Sequence, residues 1–408
     1  MGIPLPKPVM TELRERHGNE IFRIGSSCVN GYRESMEDAH IVYLQPSWGF
    51  FGVFDGHVND QCSEYLENAW KEALDKEKMP MTDERMKELA LEIDKKWMDL
   101  GQEGGSTGTF FAAMKKENSI HLQVGNVGDS RVLVCVNGLA RAMTEDHKPN
   151  NEGERRRIED CGGRVEGNRV DGSLAVSRAF GDRDYKTNSG GSQLQQKVIA
   201  LPDVTHVDVS WGNKDFAVLC CDGVFEGQFT NEEVVTFIKE QLESSDDLAV
   251  IAGKVCEEAV NRGSRDNVSC VIVQFKSGVD YADTQHFEVV PGPFALPRNN
   301  LFRKVYSLMA QKAGSTPEEV LEKRYDVLAA MENKEGLAEE WEGFKGGPPA
   351  QLKGHERTQW FADLLQQYEA ENPADPRSEQ LERIHILQQQ VGVPLPILLS
   401  LMTGQTQE

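Results

Sequence analysis

The chain has 408 residues, 39% hydrophobic and 27% charged, which suits one large domain with an appendage or two ordinary domains. Lys+Arg 44 against Asp+Glu 66 leave a formal charge of −22, which argues against non-specific binding to nucleic acid or anionic lipid, since both need a positive field. None of the eight cysteines forms a C-x-x-C pair, which speaks against a zinc ribbon or a thioredoxin-like motif and for a reduced, intracellular protein.

Residues 1–20 read as an N-terminal arm. Gly2 after Met1 meets one requirement for N-myristoylation, but Pro6 stands where Ser or Thr is usual. A single acyl chain there would give weak, reversible membrane association. Nothing at the start has the pattern of a signal peptide. The apolar stretch Val391 to Met402 is interrupted by proline and is too short to span a bilayer.

Strands are expected at 21–29 and 41–44, with Asn30-Gly31 as a turn, and at 48–54, where Phe50-Phe51-Gly52-Val53-Phe54 runs straight into Asp55-Gly56-His57. A continuous apolar run closed by a turn signal is a strand buried on both faces, so it carries an ionisable carboxylate to the edge of a core. Helical spacing follows from Asp60 to about Lys76 and from Thr82 to about Leu100, the second opening on a capping signal. Further strands are expected at 106–114, 120–127 and 131–136, and Asn137-Gly138 marks a hairpin. A short charged helix at 150–160 and a small hairpin near 164–170 come next. Residues 186–196 are polar and without period, the pattern of a mobile surface loop.

The run 215–223 repeats the earlier pattern, an apolar strand delivering Asp222-Gly223. Two helices, about 231–243 and 247–261, lead to Asp266-Asn267 ahead of a strand at 268–275. Many strands, with helices between the early and the late ones, predict packed sheets with helices outside. The texture changes near 280. Residues 286–298 read as a linker or strap, and helices are expected at about 299–312, 317–333, 356–370 and 377–390.

Glu37, Asp38, Asp55, Asp222 and Asp266 therefore all fall at strand ends or in the turns beside them. Carboxylates gathered in this way repel one another unless cations sit among them. Oxygen donors without a Cys or His pair favour Mg2+ or Mn2+ over Zn2+. Two such ions sharing a carboxylate can activate a water and clamp a phosphoryl group. An Asp-Gly is by itself most often a turn, but five acids at the edges of buried strands form a constellation.

The blocks Gly31-Tyr32-Arg33, Met36-Glu37-Asp38-Ala39-His40, Phe51 to His57, Gly105-Ser106-Thr107 and Asn126 to Arg131 occur in that order. Asp146-His147-Lys148-Pro149, Leu174 to Asp182, Cys221-Asp222-Gly223 and Asp266 to Ser269 follow. Over residues 20–276 this resembles the metal-dependent type 2C (PPM) family of Ser/Thr protein phosphatases. The resemblance implies an α+β fold, two stacked antiparallel β-sheets flanked by α-helices (an αββα sandwich). The catalytic domain would span 21–280 and a helical C-terminal extension 281–408.

The resemblance also implies a centre with two Mg2+ or Mn2+ ions. Asp55 would bridge both, Glu37 and the carbonyl of Gly56 would hold one, and Asp222 and Asp266 the other. Asp38 and Asn267 would act through metal-bound waters or orient the ligands. Arg33 would bind the phosphate and His57 would be the general acid, while Thr107, His147 and Asp182 are expected in supporting duties. Asp129 matches a position implicated in a third ion, together with Asp222. Glu226 stands there where an Asp is usual, which leaves that third site open. After His57 the family often has a glycine, here Val58-Asn59, and Asn tolerates the left-handed conformation. The implied activity is hydrolysis of phosphoserine and phosphothreonine by direct attack of water, in a cytoplasmic monomer acting on phosphoproteins. The rivals are a pseudophosphatase that only binds partners and a phosphoesterase for small molecules or lipids.

Overall fold

The structure, a computed structural model, describes residues 5–212, 214–282, 286–294, 299–332 and 336–373. They fall into two compact units, the larger comprising Arg14–Cys28 and Glu37–Phe287, the smaller Met1–Leu13, Val29–Met36 and Glu288–Glu408.

The strands in chain order are β1 (Val9–Gly18), β2 (Arg23–Gly31), β3 (Asp38–Leu44), β4 (Trp48–His57), β5 (Gly105–Ser106), β6 (Gly108–Lys115), β7 (Ser119–Val127), β8 (Arg131–Val136) and β9 (Leu139–Ala142). They continue with β10 (Val165–Glu166), β11 (Arg169–Val170), β12 (Phe180–Gly181), β13 (Asp203–Ser210), β14 (Phe216–Cys220), β15 (Val268–Gln274) and β16 (Phe287–Val290). The first sheet contains the run β1-β2-β15-β14-β8-β9 and the second has the order β12-β5-β4-β6-β7-β13, with β3 also paired to β4. Both sheets are antiparallel.

The alternation of β4 explains the stacking. Phe51 and Val53 point into a core shared with Phe111 and Val124 of the second sheet and with Val134, Leu219, Val271 and Val273 of the first. Phe50 and Phe54 point the other way, against Trp70 of helix α1 (Gln61–Leu74) and Ile93 and Trp97 of helix α2 (Asp83–Leu100). Burying each such phenylalanine stabilises the fold by about 2–3 kcal/mol. Thr82 caps α2 by accepting from the Arg85 N–H at 3.2 Å, as its sequence signal predicts. After the short helix α3 (Glu152–Asp160), helices α4 (Asn231–Ser244) and α5 (Leu248–Asn261) cover the first sheet from outside. Asn137 and Gly138 both have positive φ, 52° and 81°, the turn that the Asn-Gly pair predicts between β8 and β9.

Three expectations change. Val9–Gly18 is a ten-residue strand rather than a loose arm. β13 answers to no expected strand, because its His206 and Asp208 face outward and only Val207 and Val209 are buried. The loop at 186–196 is held shut rather than free: the Asn188 N–H donates to Gln196 Oε1 at 2.9 Å, and Gln196 Nε2 donates back to the Asn188 carbonyl at 3.0 Å. One glutamine thus bridges the neck of the loop in both directions.

A four-residue helix, α6 (Val279–Ala282), closes the larger unit before β16. The smaller unit holds the helices α7 (Asn300–Lys312), α8 (Pro317–Ala330), α9 (Ala338–Gly343) and α10 (His355–Glu371). Its centre is a buried ion pair, Arg324 to both oxygens of Glu340 at 2.8 Å, and Glu340 Oε1 also accepts from the Phe294 N–H at 2.7 Å. That bond ties the expected strap to the helices. The helix expected at 377–390, Gly2 and the apolar stretch 391–402 lie outside the described residues. No helix among the described residues is long and apolar enough to cross a membrane.

Candidate active site

Cross-strand register places the first pair of acids. β3 and β4 align Asp38 directly opposite Asp55, at the end of the hairpin away from its turn. Neighbours so placed stand within side-chain contact distance. Their carboxylate oxygens and the Cys221 sulfur all lie within 4.8 Å of one another. Asp38 is buried and accepts from Ser269 Oγ at 2.6 Å, which fixes it against β15. Asp55 is held by its backbone: its N–H donates to Thr107 Oγ1 at 3.2 Å, and its carbonyl accepts from the Thr107 N–H at 2.9 Å. Thr107 thus supports Asp55 from the neighbouring strand.

Asp222 follows β14, and Asp266 precedes β15. The two strands pair in register, so their site ends lie together. Asn267 links this corner to the hairpin, because its Oδ1 accepts from the Glu37 N–H at 2.9 Å. The Glu37 carbonyl in turn accepts from the Gly56 N–H at 3.2 Å and from Ser63 Oγ at 2.5 Å. A Cβ on Gly56 would stand 2.4 Å from that carbonyl, so only glycine fits between Asp55 and His57.

These carboxylates raise one another. Burial pushes the Asp55 carboxyl well above the usual range, and the charges of Asp222, Asp38, Asp266 and Asp129 push it further. Asp222 is raised by burial, then by Asp129 and Asp266, with Lys148 pulling the other way. Cys221 stands among these acids, beside Asp38 and Asp55. Burial and the charges of Asp38, Asp55 and Asp222 push its thiol up, so it stays protonated.

His57 stands at the end of β4, with Nε2 at 2.8 Å from both carboxylate oxygens of Asp182. Burial alone would depress the imidazolium. The charge and hydrogen bond of Asp182, helped by Asp129 and Glu37, outweigh it and raise the pKa above its ordinary value. Asp182 itself has φ 55° and is buried next to Gly105, whose missing side chain leaves it room. His147 accepts from the Gly128 N–H at 3.0 Å and meets Asp203 at 3.1 Å, a supporting duty of the kind expected.

Glu226 is exposed and accepts from the Arg265 N–H at 3.0 Å, and Asp129 is in contact with Lys148. Lys148 was not singled out from the sequence, although its motif was. The positive φ after His57 falls on Val58, at 78°, and not on Asn59. Arg33 belongs to the smaller unit, in the bend after β2, where the Asn30 side-chain amide donates to its carbonyl.

The family model described as "Protein phosphatase 2C" matches residues 22–268. The chain belongs to the protein phosphatase 2C family. It is 34% identical over 292 residues to protein phosphatase 1A of Homo sapiens, covering 67% of this chain and 76% of that protein. With protein phosphatase 1B of Mus musculus it shares 36% over 301 residues, covering 68% and 76%. Among solved structures, a phosphatase from a pathogenic strain of Toxoplasma gondii superposes with a TM-score of 0.61 at 26% identity, over 69% of this chain and 99% of that one. A sex determining protein of Caenorhabditis elegans matches with a TM-score of 0.52 at 25% identity, over 64% and 66%. As a phosphatase 2C the chain is a serine/threonine protein phosphatase, of a family whose activity depends on metal ions.

The residues of this phosphatase 2C fit such ions. Their side-chain donors are carboxylate oxygens, the one thiol among them stays protonated, and the raised carboxyls of Asp55 and Asp222 are those that a divalent cation would stabilise as anions.

Proposed function

We propose that the protein hydrolyses phosphoserine and phosphothreonine in proteins with two Mg2+ or Mn2+ ions, by direct attack of water and without a phosphoenzyme. The observation that carries this reading is the pairing of Asp38 and Asp55 across β3 and β4, two carboxylates side by side in a site too buried for both to ionise unaided. Asp55 would serve both ions, Glu37 and the Gly56 carbonyl one, and Asp222 and Asp266 the other. Asp38 and Asn267 orient these groups. When bound, the ions supply positive charge for the phosphoryl oxygens and lower the pKa of water.

The chain's own residues do the rest. His57 donates its proton to the leaving serine or threonine oxygen. Asp182 raises the pKa of the imidazole and holds the ring so that Nε2 remains engaged and Nδ1 is the nitrogen left for the proton transfer. Arg33 takes the phosphate in its planar fork. Direct attack by water is supported by Cys221, the thiol that meets the carboxylates, which is held as a thiol and is no nucleophile. The substrates are phosphoproteins, and the enzyme works as a cytoplasmic monomer.

The test is hydrolysis of a phosphothreonine peptide with added Mn2+, by wild type and by Asp55→Asn and Asp222→Asn. Wild-type turnover with at least about a hundredfold loss in both variants is expected. Equal inactivity of all three would remove the enzymatic reading, and faster turnover of a nucleotide or a phosphoinositide would remove the protein substrate.

A further inference from the structure

Asp129 is buried, its side chain 4% exposed, and the ammonium of Lys148 is in contact with it. The contact is built into the backbone. The His147 N–H donates to the Gly128 carbonyl at 2.9 Å, and the Gly128 N–H donates to His147 Nδ1 at 3.0 Å. This reciprocal clamp fixes the residue after His147 beside the residue after Gly128. Asp146 does not draw the lysine away, because Arg131 holds both of its oxygens at 2.9 Å. After Asp129, the carboxylate that Lys148 feels most is Asp222, and Asp222 in turn feels Lys148. Glu226 is turned to the N–H of Arg265 and to Ser264 Oγ. On this flank of the cluster, a tethered ammonium stands where a divalent ion would otherwise meet Asp129.

We propose that Lys148 is a built-in cation that sets the affinity of the carboxylate cluster for its outermost divalent ion, which reaches Asp129 only by displacing the ammonium. The proposal rests on the metal reading of the cluster given above. Removing one partner of a buried ion pair leaves a charge that must find another cation. In this role the lysine guards a third, weaker ion site at Asp129, additional to the two-ion centre proposed above, which fills only at high ion concentration and leaves the ligands of that centre unchanged.

The experiment is calorimetric titration of metal-free full-length protein with Mn2+, comparing wild type, Lys148→Met, Lys148→Arg and the double variant Lys148→Met with Asp129→Asn. The weakest binding phase should tighten at least about tenfold in Lys148→Met. It should stay near wild type in Lys148→Arg and lose the gain in the double variant. A weakest phase that is unchanged or weaker in Lys148→Met overturns the proposal, and so does a gain that survives Asp129→Asn. If Lys148→Met is unstable without metal, thermal unfolding across Mn2+ concentrations decides. A steeper rise in Tm with Mn2+ than in wild type supports the displacement, and an equal or shallower rise overturns it. Wild type that binds no Mn2+ would instead sink the metal reading itself, so the two failures are distinct.

Discussion

His57 Nε2 lies 2.8 Å from both carboxylate oxygens of Asp182, a residue 125 positions further along the chain. The contact raises the pKa of a histidine at a strand end above its ordinary value, because the gain from the paired carboxylate exceeds the cost of burying the imidazolium.

The pH dependence of turnover should report that contact. A general acid works while it is protonated, and the raised pKa of His57 keeps it so to a higher pH. Asp182→Asn removes the charge, so the alkaline limb of kcat should move down by about one pH unit. The loss should be about tenfold at pH 8 and smaller at pH 6. An alkaline limb that stays in place would take Asp182 out of this role.

Gly105→Ala should act on the same pair without touching either charge. A Cβ at Gly105 would stand 2.5 Å from Asp182 Cγ, inside any tolerable contact. Displacing the carboxylate should lower kcat about tenfold with little change in KM. Steady-state kinetics on a phosphopeptide decide it, and a variant with normal kcat contradicts the positioning role.

Metal removal should reveal the strain among the acids. In the metal-free fold Asp55 binds its proton more tightly than in the unfolded chain, so its contribution to stability falls as pH rises from the ordinary carboxylate range through the folded pKa. Asp55→Asn should therefore raise the Tm of the chelated protein at pH 7 by about 2 °C or more and flatten its dependence on pH. Added Mn2+ should reverse the order, stabilising wild type only. Calorimetric scans in chelator and in Mn2+ read both, and a lower Tm for chelated Asp55→Asn would refute the account.

Lys186 and Asp94 form an ion pair at 2.7 Å with side chains 6% and 4% exposed, and Asp94 also accepts from the Gly181 N–H, next to Asp182. Lys186→Met leaves a buried carboxylate uncompensated and should cost about 3–5 kcal/mol. Replacing both residues with apolar ones should cost less than the single change. Urea denaturation of the two variants checks this, and a double variant weaker than the single one would contradict it.

Val58 has φ 78° and is 72% exposed, so a β-branched residue sits in a left-handed conformation with little packing to hold it there. Val58→Gly should relieve this and raise stability by about 0.5–1 kcal/mol. A lower urea midpoint in that variant would show that the valine has a packing role.

The sequence by itself predicted packed sheets with helices outside, because β4 and β14 are apolar runs closed by an acid and a glycine, the pattern of buried strands, while the αββα arrangement was what the resemblance of its motif blocks implied. It also marked Glu37, Asp38, Asp55, Asp222 and Asp266, since an acid at the end of a buried strand is visible in the one-dimensional pattern. What it could not supply was pairing across distance. Register decided that Asp38 faces Asp55, and close packing at Gly105 decided that Asp182 meets His57. The clamp between Gly128 and His147 decided that Lys148 reaches Asp129 while Glu226 turns to Arg265. Hydrophobic periodicity is a property of neighbouring residues, but electrostatic partnership depends on distance through space, and only the folded chain fixes that.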